Sequence, residues 1–183
     1  MKDPKTLEIL IEIPAESSIK YEVEEGSGRI FVDRFVPTPM NYPENYGMIS
    51  GTHGKDGDAL DALVLTSKPL LPGTWIKAKI IGMLEMEDEE GIDHKLICVP
   101  AKPKIDFYCG AWDDLKDVPQ YRLDRLKHFF EHYKDLEKNK WVKINQFQNK
   151  SAALKELKQG QDKYASLQQN SDCACGGNCD CEH

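Results

Sequence analysis

The sequence predicts an α+β domain, a small closed β-barrel with two helices packed outside it at the C-terminal end. Three observations predict it. Short apolar runs of period two fill the first hundred residues, and runs of helical period with charged faces take over after Pro119. The length, 183 residues, suits one core rather than two.

Taken in order, Leu7, Ile9, Ile11 and Ile13 share one face of TLEILIEIP, and Ile19, Tyr21 and Val23 alternate likewise in IKYEV. EEGSGR is a tight turn leading into RIFVDRF, so these two segments form a β-hairpin. PTPMNYPENYG carries three prolines and a glycine and reads as irregular loop. ALVL is a short buried strand, and WIKAKIIGMLEM and HKLICVP are two more, joined by the acidic link EDEEGID. In PQYRLDRLKHFFEHYKDLEK the residues Leu123, Leu126, Phe129, Phe130, Tyr133 and Leu136 recur at helical spacing, with Pro119 near the start. WVKI is a further strand. SAALKELKQGQDKYASL is the second helix, amphipathic through Ala153, Leu157, Gly160, Tyr164 and Leu167, with Ser151 or Asn149 as its cap. No internal repeat is visible. The folded domain is expected to span residues 1–168, and residues 169–183 to form a flexible, cysteine-rich tail, because QQNSDCACGGNCDCEH has almost no apolar residues to bury.

The net charge of −7 and pI near 5.3 argue against nucleic acid or an anionic membrane as the main partner, since both require a basic footprint. The N-terminus alternates glutamate with apolar residues and lacks the apolar core of a signal peptide, and no stretch approaches transmembrane length. A cytoplasmic location is the default expectation.

Asp56, Asp58 and Asp61 gather in DGDALD immediately before an apolar run. Carboxylates that close repel one another, so the cluster is either a polar turn or a site that awaits positive charge. An EF-hand loop is excluded, because its third ligand position would be Leu60, its glycine Asp61 and its closing glutamate Ser67. A second acidic group, Asp88 and Asp93, flanks Glu89, Glu90 and Gly91, and Glu12 interrupts an otherwise apolar strand. Oxygen-only ligands point to a hard cation, Mg²⁺ or Mn²⁺, and no paired histidine spacing suggests zinc. Lys20, Glu22, Arg34, Tyr42, Tyr46, Tyr133 and Lys134 add cations and phenols. Converging with metal carboxylates, they suit a phosphate-rich anion: metal ions cover some oxygens, Arg and Lys neutralise others, and Tyr donates hydrogen bonds.

IEIP, IKYE, FVDRF, YPENYG, DGDALD, EDEEGIDHKL and FFEHYKDLEKNKWV occur in the order and approximate spacing of the soluble family I inorganic pyrophosphatases, which the chain resembles from about Thr6 to Leu167. The compact length is similar to the prokaryotic branch. The resemblance implies an OB-like barrel flanked by helices, Mg²⁺-dependent hydrolysis of pyrophosphate to two orthophosphates, several ions per site with Mn²⁺ as a substitute, and a homohexamer. It implies Asp56, Asp61, Asp88, Asp93 and Glu12 as metal ligands, and Asp58 as general base. Lys20, Arg34, Tyr46, Tyr133 and Lys134 match the phosphate-binding groups, and Glu22, Tyr42 and Lys95 match supporting positions. One departure is Ala59, where the family signature usually has proline; its loss is expected to loosen the loop, with an effect on metal affinity or stability rather than on reaction class.

The alternative is a non-catalytic, divalent-cation-dependent OB-like module that holds phosphorylated ligands. The tail is outside the resemblance. Cys173, Cys175, Cys179 and Cys181 form a C-x-C-x3-C-x-C array able to wrap one soft ion such as Zn²⁺ or Cu⁺.

Overall fold

In the computed structural model of the chain the described residues are 6–24, 26–55 and 57–173, with side chains described through 169. Their strands are β1 (Leu7–Ile13), β2 (Ile19–Val23), β3 (Ile30–Phe35), β4 (Asn45–Ile49), β5 (Asp61–Val64), β6 (Trp75–Asp88), β7 (Gly91–Ile92), β8 (Lys95–Pro100) and β9 (Val142–Asn149). The helices are α1 (Gln120–His132) and α2 (Lys150–Cys173). The expected closed sheet takes the form of a ring. β1 pairs β4, β4 pairs β5, β5 pairs β8, β8 pairs β6, and β6 returns to β1. The long β6 also carries β7 and β9, while β2 and β3 form a separate two-stranded sheet.

Alternation along each strand splits the apolar residues between two cores. Ala62 and Val64 belong to one, with Ile9, Ile11, Ile49, Leu96 and, from α2, Ala153 and Leu157. Leu63 and Leu65 belong to the other, with Ile97, Val99, Met86 and, from α1, Leu123, Leu126, Phe129 and Phe130. The two helices thus cover opposite residue sets of one ring, which is why both carry an apolar stripe.

Five elements differ from the sequence reading. PENYG is not all loop: Asn45–Ile49 is the buried strand β4 between β1 and β5. Its glycine made it look irregular, yet a Cβ on Gly47 would lie 2.0 Å from the Leu10 carbonyl oxygen, so close crossing by β1 requires glycine there. The link after β6 is a tight hairpin through β7, with Gly91 at φ +119°. Asp88 is therefore a strand residue, 6 % exposed, rather than part of a solvated loop. α1 stops at His132, so Tyr133 is its C-terminal cap, Lys134 lies beyond it, and Leu136 is exposed. β9 extends WVKI to Asn149, whose Oδ1 accepts the Ala152 N–H at 3.1 Å and caps α2. α2 itself runs on to Cys173, although Tyr164 and Leu167 are already exposed. Among the described residues no helix is long and apolar enough to cross a membrane.

Candidate active site

Parallel pairing of β5 with β8 brings the starts of both strands to one mouth of the ring. Ala62 lies opposite Leu96, so Asp61 and Lys95, one residue earlier on each strand, are neighbours. Lys95 is 3 % exposed; its Nζ donates to Asp61 Oδ2 and, at 2.5 Å, to Asp93 Oδ1. Burial pulls the Lys95 ammonium toward neutrality, but the two carboxylates outweigh it and hold the group charged, well above its usual range. Asp93 is not fully compensated. Burial raises its carboxyl, Lys95 lowers it, and Asp61 and Asp88 raise it again, for a net upward shift.

Glu12 reaches this mouth through a β-bulge. Ile11 pairs with Gly47 and Ile13 with Tyr46, so Glu12 is the extra residue, re-aimed off the strand's alternation. Burial lifts its carboxyl to about 7, opposed by Lys20 and reinforced by Asp61, Glu22 and Asp33. Lys20 Nζ stands 4.0 Å from Glu12 Oε2.

On the other side, Lys134 Nζ donates to Asp88 Oδ2 at 2.8 Å and to both Glu89 oxygens at 3.2 and 3.3 Å. Lys140 Nζ adds a contact of 2.9 Å to Glu89. Slight burial raises the Glu89 carboxyl, but hydrogen bonds from Lys140, its own backbone and Lys134 bring it down to about 2. Tyr46 hydrogen-bonds Asp61, and its ring centroid is 5.5 Å from Lys95 Nζ. Burial raises the Tyr42, Tyr46 and Tyr133 hydroxyls above the usual tyrosine range, keeping them protonated donors. Tyr42 packs between the other two, with ring centroids 5.4 Å from Tyr46 and 6.5 Å from Tyr133.

The hairpin presents cations to the same region. Lys20 sits directly across from Arg34, and Glu22 across from Phe31. The Arg34 side chain is 71 % exposed and lies 3.7 Å from Asp33. The aspartate loop is folded by its backbone. The Gly54 N–H donates to the Asp58 carbonyl at 2.6 Å, and Gly57 holds φ +108°, a conformation glycine adopts without strain. α2 braces the loop, since the His53 N–H donates to the Gly160 carbonyl at 3.0 Å and Lys163 Nζ donates to the Gly54 carbonyl.

Glu12, Asp61, Asp88, Asp93, Lys95, Tyr42, Tyr46, Tyr133 and Lys134 thus share one electrostatic neighbourhood. Lys20 and Glu22 lie at its edge, Arg34 and Asp58 are exposed, and Asp56, the Cys173 side chain, Cys175, Cys179 and Cys181 lie outside what is described. Among the described residues no three His, Cys, Asp or Glu side chains meet around one ion-sized point; Asp61 and Asp93 meet on Lys95. Burial is the main cause of the raised Glu12 and Asp93 carboxyls, but Asp61 raises both further, so several carboxylates share a mouth with few cations. With oxygen donors only, that excess fits a hard divalent cation. His94 Nδ1 accepts the Met86 N–H at 3.3 Å and is a strand-edge residue.

Sequence reasoning did not single out four residues that brace this region. Glu89 anchors Lys134, which its place in an acidic link did not signal. Asn45, 0 % exposed, accepts from the Ala15 and Leu70 N–H groups and donates to the Val64 carbonyl and Thr66 Oγ1. Glu44 and Arg122 form a buried ion pair. A polar pair wedged between prolines, aromatics and glycine was the available signal for Glu44 and Asn45.

The family model described as inorganic pyrophosphatase matches residues 9–165. An inorganic pyrophosphatase of Aquifex pyrophilus is 48 % identical over 164 residues, covering 88 % of this chain and 90 % of the relative. One from Helicobacter pylori is 48 % identical over 155 residues, covering 85 % and 89 %. The solved structure of an inorganic pyrophosphatase from Coxiella burnetii superposes with a TM-score of 0.83 at 43 % identity, covering 89 % of this chain and 97 % of that one. The enzyme structure from Helicobacter pylori gives 0.84 at 45 % identity, covering 90 % and 96 %.

Proposed function

The chain belongs to the inorganic pyrophosphatase family, and from that premise we propose that this site hydrolyses pyrophosphate to two orthophosphates through the residues assigned below. The observation that carries the reading is the pairing of Asp61 and Asp93 on buried Lys95, with Tyr46, Tyr133 and Lys134 alongside. Such a mouth can accept both divalent cations and a polyanion.

Asp56, Asp61, Asp88, Asp93 and Glu12 are assigned to hold the divalent ions that the family requires, with Mg²⁺ as the resident ion and Mn²⁺ as a substitute. Bound there, such ions screen phosphate charge and lower the pKa of water from ~15.7 toward ~7. Asp58 takes the proton from the attacking water, a role its exposed position beside Gly57 permits. Lys20, Arg34 and Lys134 neutralise phosphate oxygens, while Tyr46 and Tyr133, held protonated, donate to them. Glu22 adds negative charge near Glu12, Tyr42 packs between Tyr46 and Tyr133, and Lys95 bridges Asp61 and Asp93 and offsets their repulsion. Attack in line with the leaving phosphate needs no covalent intermediate.

A cytoplasmic location and a homohexamer complete the proposal. Exposed Ile30, Phe31, Val32 and Phe35 on β3 support burial against further copies. The tail thiols stand apart from this chemistry and are assigned to one soft cation.

The test is phosphate release from pyrophosphate by the full chain. Release is expected with Mg²⁺ and lost with a chelator. No release under any divalent ion would favour the non-catalytic binding module, which nothing in the comparisons favours.

A further inference from the structure

Glu44 and Arg122 make the best-enclosed ion pair away from the acidic mouth, and the proposed chemistry does not use them. Glu44 is 3 % exposed. Arg122 grips it with two donors: Nε donates to Oε1 at 2.6 Å and Nη2 to Oε2. The guanidinium makes further contacts on its other sides. Nη2 also donates to the Thr66 carbonyl at 3.1 Å, Nη1 approaches Cys109 Sγ at 3.4 Å, and the Trp112 ring lies beneath at 5.4 Å. One side chain of α1 therefore ties together the entry to β4, the exit from β5 and the turn at Cys109–Ala111.

The placement of the pair matters for the site. Glu44 is two residues after Tyr42 and two before Tyr46. Asn45, between Glu44 and Tyr46, spends all four of its side-chain hydrogen bonds on backbone and hydroxyl groups of neighbouring segments. Arg122 lies in the first turn of α1, whose far end carries Tyr133 and Lys134, about 16 Å further along at 1.5 Å per residue. The clamp thus joins the strand that presents Tyr46 to the helix that presents Tyr133 and Lys134. A stability role alone gives no reason for a charged pair here, since a buried ion pair is often no more stabilising than apolar residues of the same volume. A planar, bidentate grip does fix relative orientation, which apolar contacts leave looser.

We propose that Glu44 and Arg122 are positioning residues, holding Tyr46 in register with Tyr133 and Lys134 so that both edges of the site meet one pyrophosphate. The inference rests on the substrate-facing role of Tyr46 given above. Removing the clamp leaves the carboxylate mouth and Asp58 in place, so it weakens substrate binding more than it slows turnover.

The experiment is steady-state phosphate release by the full chain, with KM and kcat separated, alongside thermal unfolding. Glu44→Gln is expected to raise the KM for pyrophosphate about fivefold, an effect of the size that misplaced binding groups produce, with kcat changed less than twofold. Tyr46→Phe is expected to raise KM as well, and the double variant to add little beyond the larger single effect, because one acts through the other. If Glu44→Gln folds poorly, the double variant Glu44→Met with Arg122→Met restores a charge-free, filled interior and is expected to keep the raised KM at a near wild-type Tm. A wild-type KM in that folded variant, or effects that simply add in the cycle with Tyr46→Phe, overturns the proposal. Tyr46→Phe with unchanged KM would instead remove the role of Tyr46 on which it rests.

Discussion

At the mouth of β5 and β8 a lysine 3 % exposed holds two aspartates within its hydrogen bonds; on the hairpin, Lys20 and Arg34 stand side by side on a sheet whose second strand is exposed throughout. The first region is assembled before any ligand arrives, and the second is presented to water. The difference follows from charge. Carboxylates gathered for metal repel one another and need a built-in partner to fold, so Lys95 is buried among them. Cations meant for phosphate repel less when solvated, because exposed charges in high dielectric interact weakly. Order is therefore concentrated where like charges are buried.

The largest effect expected from breaking this contrast is at Lys95. Lys95→Met leaves part-buried Asp61 and Asp93 facing each other without their cation, which costs about 1.5–3 kcal/mol and lowers Tm by roughly five degrees. Calorimetry checks the shift, and added Mg²⁺ is expected to recover part of it, since binding to the folded state stabilises it. An unchanged Tm would mean the pair is not needed for assembly. On the hairpin the same kind of deletion acts differently: Arg34→Ala is expected to raise KM about tenfold and to move Tm by no more than a degree or two, as surface substitutions do.

A pH profile sharpens the contrast further. The Glu12 carboxyl is raised from 4.5 to about 7 in the folded protein. Between those values the folded chain holds a proton that the unfolded chain has released, so stability without divalent ions falls as pH rises through that window. Unfolding scans across it should show the decline, and Glu12→Gln should flatten it. The smallest effect on activity lies at the far end of α2. A chain ended at Asn170 is expected to release phosphate at the wild-type rate while binding one zinc ion fewer per chain; equal zinc stoichiometry would remove the tail assignment. Cys98 and Cys109 are buried, so they do not blur that measurement.

The strands, hairpin and helices were legible because period two and helical period survive wherever one face is buried, as in Leu7–Ile13 and in Leu123, Leu126, Phe129 and Phe130. β4 was not, because a strand buried on both faces and crossed closely at Gly47 shows no alternation, and its Asn45 is polar for a reason visible only in three dimensions. The end of α1 was misread because Tyr133 continues its stripe, whereas the chain turns there to bring Lys134 to Asp88. The ordered acidic and aromatic motifs marked the candidate residues, most of which the fold brings to one mouth. What they could not convey was the parallel β5–β8 register that sets Asp61 beside Lys95, or the bulge that turns Glu12 inward.

The central claim is that these carboxylates divide their labour, Asp61 and Asp93 holding ions beside Lys95 while exposed Asp58 moves a proton. Asp58→Asn tests it most directly, with phosphate release from pyrophosphate and Mg²⁺ binding measured on the same preparation. The expected result is a kcat lowered by about 10²–10⁴ with Mg²⁺ binding and Tm retained. Turnover at the wild-type rate would contradict it.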